Sequence, residues 1–362
     1  MSESSNSLSA QHRFHNRAAW KIASGEIEVS VTEWGGHLAE TTWRSSGVNP
    51  LWVQDRPTID PDQFDTAIHE GIYGSDSEAL LISGLLGHNL CLPWWGPPSE
   101  AEFRAGMTYH GETNIVRWRA MEHSARALRI EALLPESALR VTRSLECRGP
   151  VVNFETVVEN LSAWDRPLSW CEHVTLGPPF LSADSTRFYA DLLRGFRTSR
   201  EREGVFDWPE GNGERRCDLT RFSREPHSDL VNSFLVDAQH DHACFIAVNP
   251  QLGLAFGYVF RPRDFPWMNV WENNDARRQT RAMEFSNTPV EGSMKQLFAK
   301  PRLLDTPTFE WLEAKSSVTK KFFSFALEIP RDFGSVGSID YNGQTLLVQE
   351  ADSERKYAIT ID

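Results

Sequence analysis

The chain has 362 residues, 40% of them hydrophobic and 11% aromatic, which allows one large β core or two average domains and excludes a chain too polar to fold. A net charge of −13 and a pI near 5.4 argue against nucleic-acid and anionic-membrane roles, because such a surface repels phosphate. The cysteines, Cys91, Cys147, Cys171, Cys217 and Cys244, are odd in number, widely spaced and without a C-x-x-C pair, which argues against a disulfide framework or zinc module and fits a reducing compartment.

From Met1 to about Gln11 the chain is Ser-rich and polar with no apolar core, so residues 1–12 read as a disordered tail rather than a signal peptide, and residues 13–362 as one domain. The longest apolar run, Ala79 to Leu92, is interrupted by Ser83, Gly84, Gly87, His88 and Asn89 and is too short to span a bilayer. A cytoplasmic protein is expected.

Period-two alternation, the mark of strands with one face in a core, then recurs along the chain. Ile27, Val29 and Val31 alternate with Glu28 and Ser30. Leu139, Val141 and Leu145 alternate with polar residues, although Arg143 breaks the apolar face. Val152, Phe154, Thr156 and Val158 form a further ladder. Turn residues punctuate these runs at Leu134-Pro135-Glu136-Ser137, Arg148-Gly149-Pro150 and Asn249-Pro250-Gln251-Leu252-Gly253. Short helices are expected only within Asp76 to Leu86 and Asp184 to Leu193. A parallel α/β sheet needs crossover helices that this chain has no room for, so stacked antiparallel sheets remain. Arg194 to Glu225 reads as a long polar excursion, and Asn342-Gly343 as the turn of a terminal hairpin after residue 330.

Three segments place ionisable groups beside turns or aromatic residues at strand ends, where a rigid scaffold exposes a site. They are Tyr109-His110-Gly111, Trp170-Cys171-Glu172-His173, and Phe265-Pro266-Trp267 running through Trp271 to Glu284 and Pro289. A histidine at a strand end is more often structural than catalytic, and Glu284 in its apolar setting either faces outward or is buried at a cost of several kcal/mol unless paired. By alternation Glu172 points away from His173.

Taken in order, these segments resemble the galactose mutarotase (aldose 1-epimerase) family. The likeness begins at Val31-Thr32-Glu33-Trp34-Gly35-Gly36-His37-Leu38 and Asn49-Pro50-Leu51-Trp52. It continues through His110-Gly111 with Trp118, and through Val158-Glu159-Asn160-Leu161-Ser162 into Leu168 to His173. Phe265-Pro266-Trp267 with Trp271, Glu284 before Pro289, and Trp311-Leu312 leading to Phe322, Phe323 and Phe325 complete it.

The resemblance implies an all-β supersandwich of large antiparallel sheets that binds a small sugar and interconverts its anomers, with no metal and no organic cofactor. His173 would be the general acid, Glu284 the general base on the opposite side of the ring, and His110 a second histidine that holds the sugar hydroxyls or assists the acid. The family's arginine before the His-Gly turn is missing from Gly87 to Pro98, which points to another sugar, bound with help from His88, Trp94 or Trp95, or to a non-catalytic carbohydrate-binding protein on the same fold. Trp271 and Glu272 are further binding candidates.

Two other clusters carry less. His240, His242 and Cys244 are read as part of a hairpin turn between strands 233–236 and 245–248 rather than a metal site. Arg277, Arg278 and Arg281 could grip a phosphate or carboxylate, but a solvated loop pairing with Asp275 is the simpler reading.

Overall fold

A computed structural model describes residues 9–10, 12–198, 200–212, 216–275 and 278–361. Among them two antiparallel sheets dominate, one of eleven strands and one of eight. The ladder over Ile27–Val31 lies in the larger sheet, and those over Leu139–Leu145 and Val152–Val158 in the eight-stranded one. Its strands Arg119–His123, Ala127–Leu134, Leu139–Arg148 and Val151–Asn160 are a meander, and Ser317–Glu328 and Leu254–Phe260 continue it. The middle of the larger sheet runs His88–Cys91, Cys171–Leu176, Gln279–Ser286, Trp267–Asn274, His227–Val236. These middle strands are buried on both faces, and so show no clean alternation of apolar with polar residues.

The inner faces of the two sheets share one apolar core, in which Phe285 of the larger sheet stacks on Phe260 of the smaller with ring centroids 4.6 Å apart. Within this core lies a buried polar cluster. Arg143, which interrupts its strand's apolar face, reaches across to Glu172 at 2.8 Å. His88 meets the same carboxylate oxygen through Nε2 at 2.8 Å and Tyr258 through Nδ1 at 3.0 Å, and the Trp170 indole donates to the other oxygen at 3.1 Å. Burial pushes the Glu172 carboxyl up, but Arg143 and His88 outweigh it and hold the group down at about 2. The guanidinium also sits 5.1 Å over the Phe154 ring.

Several expectations are corrected. The tail expected over residues 1–12 lies outside the described residues at 1–8 and 11, but His12 already starts a strand. His12–Phe14 pairs with Arg17–Ala23 across His15 and Asn16, both at positive φ, a tight hairpin turn. The helix expected within 184–193 is strand instead, Arg187–Ala190 and Leu192–Arg197, because Phe188 and Ala190 point inward at period two against Ala247 and Phe245. The helix within 76–86 is Ala79–Gly84, and Thr66–Tyr73 is a helix not foreseen.

The residues around His240 do not turn a hairpin: the strand before them, His227–Val236, lies in the larger sheet and the one after, Ala243–Asn249, in the smaller, so they cross between sheets. His242 packs edge-on against Tyr341 and Cys244 bonds Asp191, and no metal-binding group occurs among the described residues. After residue 330 a third strand, Lys356–Thr360, joins the pair Val336–Tyr341 and Thr345–Glu350, and this small sheet covers the outer face of the eight-stranded one through Leu346, Val348 and Ile359.

Replacing Arg143 with Met should leave Glu172 short of its cation in the core. Urea unfolding is expected to show a loss of about 3–5 kcal/mol; a variant within 0.5 kcal/mol of the parent would mean that the ion pair does not hold the sheets together. In the parent, the stability contributed by ionised Glu172 is present above the ordinary carboxylate range and is lost as pH falls toward about 2.

Candidate functional site

On the face of the larger sheet turned away from the core, strand register sets a polar row across five strands. Asn89, His173, Glu284, Asn269 and Ser233 are successive cross-strand partners. Side chains in such a row point the same way, so the ladder itself brings His173 beside Glu284. Their Nε2 and Oε1 atoms are 3.3 Å apart, and both groups are buried. Ser233 donates to Asn269 at 2.7 Å, which in turn donates to Ser286, so this end of the row is held internally.

His110 arrives from outside the sheet. Its backbone has φ of +60° and is followed by Gly111 at +82°, a turn that folds back onto Leu92. A Cβ on Gly111 would lie 2.2 Å from the Leu92 carbonyl oxygen, so only glycine fits. The Gly96 N–H donates to His110 Nδ1 at 2.9 Å, which places the ring proton on Nε2. The His110 ring is 5.3 Å from His173 and stacks on Trp95 at 6.3 Å, while Trp271 packs against His173 from the other side at 6.3 Å. Together these residues line a cleft of about 340 Å³, within the range that takes a small molecule.

Burial dominates the electrostatics. It pushes the Glu284 carboxyl well above the usual carboxylate range, helped by the negative charge of Glu291; the Cys171 thiol, 3.6 Å from Oε2, and the Trp95 indole oppose this without offsetting it. It lowers His173 to about 3, and lowers His110 well below the ordinary imidazole value, with His173 adding to the effect. Burial therefore favours protonated Glu284 facing a neutral His173. The Thr175 hydroxyl sits 3.1 Å from His173 Nδ1 and so can accept the ring proton, leaving Nε2 to face the carboxyl.

Of the residues singled out from sequence, His110, His173, Glu284, Trp95 and Trp271 meet in this cleft. Three do not. His88 sits one residue out of phase with His173's row and faces the core, bonded to Glu172 and Tyr258. Glu272 also faces inward, paired with Arg281 and, at 3.1 Å, with His227. Trp94 donates to the Thr108 carbonyl and lines a separate hollow beside Met294 and Phe298.

Glu172 is on the core side, opposite His173, as alternation predicts, and Glu112 is tied to Ser137 and the Glu136 backbone. Sequence reasoning missed Glu291, Val231, Arg197 and Thr198 on the cleft. Only Glu291, soon after Glu284 and taking a hydrogen bond from Tyr109 at 2.8 Å, carried a signal that could have been read. The arginine cluster divides: Arg281 is locked in the core, Arg278 lines the cleft, and Arg277 lies outside the described residues. A larger hollow of about 620 Å³ lies over the eight-stranded sheet, but its Lys321 and Arg129 are paired with Glu155 and Glu122, and it gathers no comparable acid and base.

No family model matches the sequence, and no curated protein matches it. Solved structures do. A candidate aldose 1-epimerase of Klebsiella pneumoniae superposes with a TM-score of 0.65 at 14% identity, over 88% of this chain and 82% of that one. The galactose mutarotase-related enzyme of Lactobacillus acidophilus gives 0.62 at 8% identity, over 86% and 98%. The fold is galactose mutarotase-like. A galactose mutarotase-like protein of Clostridium acetobutylicum agrees, with a TM-score of 0.61 at 12% identity over 89% and 99% of the two chains. At these identities the likeness shows the fold of the mutarotase-like supersandwich alone.

If burial governs the pair, nitrogen-15 NMR of the imidazoles should show His173 neutral at pH 5 and titrating near about 3. Because an unfolded histidine protonates near 6.5, this group should withdraw stability as pH falls from there toward its folded value. An imidazolium at His173 at pH 6 would instead establish an ion pair with Glu284.

Proposed function

We propose that this mutarotase-like cleft binds a sugar and interconverts its anomers by acid and base catalysis, with His173 and Glu284 as the proton-transfer pair. The observation that carries the reading is the convergence of these two groups, at 3.3 Å, with a proton-donating His110 in one aromatic-walled cleft. Opening a hemiacetal requires a proton on the ring oxygen and removal of one from the anomeric hydroxyl. Both oxygens are attached to one carbon.

Adjacent groups therefore suit the task from one side of the ring, where the sequence implied a pair flanking it. A proton passes from Glu284 to the ring oxygen while His173 Nε2 takes the hydroxyl proton, giving the open aldehyde. Rotation about the bond next to the carbonyl and the reverse transfers close the other anomer, so the enzyme's proton count is unchanged. This reverses the acid and base roles expected from sequence, as the buried carboxyl's affinity for its proton favours. His110 Nε2–H would hold the carbonyl oxygen as it forms.

Trp95 and Trp271 provide flat apolar faces for the ring's C–H groups. A reducing sugar as small-molecule partner follows from this chemistry, which needs no metal or organic cofactor.

Saturation-transfer NMR on a panel of aldoses tests the reading. Acceleration of anomer exchange by catalytic protein is expected for at least one sugar, with a loss of roughly 10²–10⁴-fold in Glu284→Gln and in His173→Asn. Glu284→Gln should also raise Tm at pH 7, because it removes a carboxyl whose folded-state proton affinity penalises the native state above the ordinary carboxylate range. Sugar binding with no acceleration on any member would leave a carbohydrate-binding protein.

A further inference from the structure

Arg278, half-buried on the cleft, differs from the arginines that are fully buried in this molecule. Arg143 and Arg281 are each locked to a buried carboxylate, and Arg17 is bonded to Asp60. Arg278 instead stacks its guanidinium 5.7 Å over the Trp271 ring. Asp275, expected as its partner, accepts its backbone N–H, at 2.8 Å. Among the described residues neither Arg278 nor Arg197, both on the cleft, forms an ion pair. The cleft's other carboxylates are Glu78 and Glu291, the latter engaged by the Tyr109 hydroxyl.

The placement is directional. Going along the cleft from the proton-transfer pair, His173 touches Trp271 and Trp271 carries Arg278. A pyranose with its anomeric carbon at His173 and Glu284 and its body along Trp271 presents its far end to the guanidinium. Stacking occupies the face of the guanidinium and leaves its in-plane N–H groups open, the geometry that grips a carboxylate or phosphate by two parallel hydrogen bonds.

We infer that the substrate is an anionic sugar, carrying a carboxylate or phosphate at the end remote from the anomeric carbon, which Arg278 receives beside Trp271. This rests on the reading of the cleft as a sugar site, and it makes Arg278 the residue that determines specificity.

Galactose, galacturonate and galactose 6-phosphate share a ring and differ at its far end. With the full-length protein, anomer exchange is measured by saturation-transfer NMR and binding by Trp fluorescence, for each sugar at low and high salt. Exchange at least tenfold faster for an anionic member than for galactose is expected, weakening as salt screens the contact. In Arg278→Gln the KM for that member should rise roughly 10- to 100-fold, and its advantage over galactose should collapse.

Galacturonate alone preferred would identify a carboxylate, and galactose 6-phosphate alone a phosphate. Equal acceleration of all three would overturn the inference and leave the epimerase reading standing. No acceleration, but salt-sensitive binding of an anionic member only, would retain the anion site and overturn the epimerase. Neither exchange nor selective binding would overturn both. If Arg278→Gln does not fold, the salt dependence and the anionic preference of the parent still decide.

Discussion

The contact on which this architecture turns is the buried one between Arg143 and Glu172, with His88 as third member. It joins the two sheets inside a largely apolar core, where an unpaired charge would cost several kcal/mol. It also sits directly behind the site. Glu172 adjoins His173 in sequence and His88 adjoins Asn89 of the polar row, so the strands that present the cleft's central groups are fixed from the back by charge and from the sides by the hydrogen-bond ladder. Polar groups thus occupy both faces of the sheet for different reasons: on the core side Glu172 is satisfied by Arg143, His88 and Trp170, and on the cleft side burial keeps a carboxyl and an imidazole in their neutral forms.

Such a site is poised by exclusion of water. In water, a carboxyl and an imidazole would be ionised in opposite senses and each would be well hydrated. Removed from water at 3.3 Å, they are more stable as a neutral pair, and the charged and neutral forms differ only in the position of one proton. The tilt between these forms is set by the few dipoles that reach them, the Cys171 thiol, the Thr175 hydroxyl and the Trp95 indole, and by whatever ligand oxygen lies between.

Much of this was legible in the sequence because it follows from local rules. Alternation identifies Ile27–Val31 in the larger sheet and Leu139–Leu145 and Val152–Val158 in the smaller, puts Glu172 and His173 on opposite faces, and marks Arg143 as an exception to its face. His110-Gly111 reads as a turn because glycine alone tolerates the backbone that follows. What could not be read is which strand lies beside which. His88 and His173 are 85 residues apart by their numbers in the sequence, and whether they share a face depends on a register that no local pattern encodes.

The same limit explains Glu272, placed in the cleft by its nearness to Trp271 when alternation across one residue sends it to the core. It explains the sheet-to-sheet crossover read as a hairpin, because a turn between two strands looks alike whether or not they pair.

The row that holds His173 beside Glu284 belongs to the ladder of a wide sheet, not to loops. Its geometry is therefore as stiff as the sheet, and a one-residue slip on either strand would remove one partner to the opposite face rather than shift it slightly. The chemistry has no small variations available to it. Diversification on this scaffold is left to the cleft's borders, the Ala79–Gly84 helix and the turn that carries Arg278, where the chain can change length or charge without disturbing the row. Such a division would let a lineage keep the paired carboxyl and imidazole while exchanging the molecules that the cleft admits.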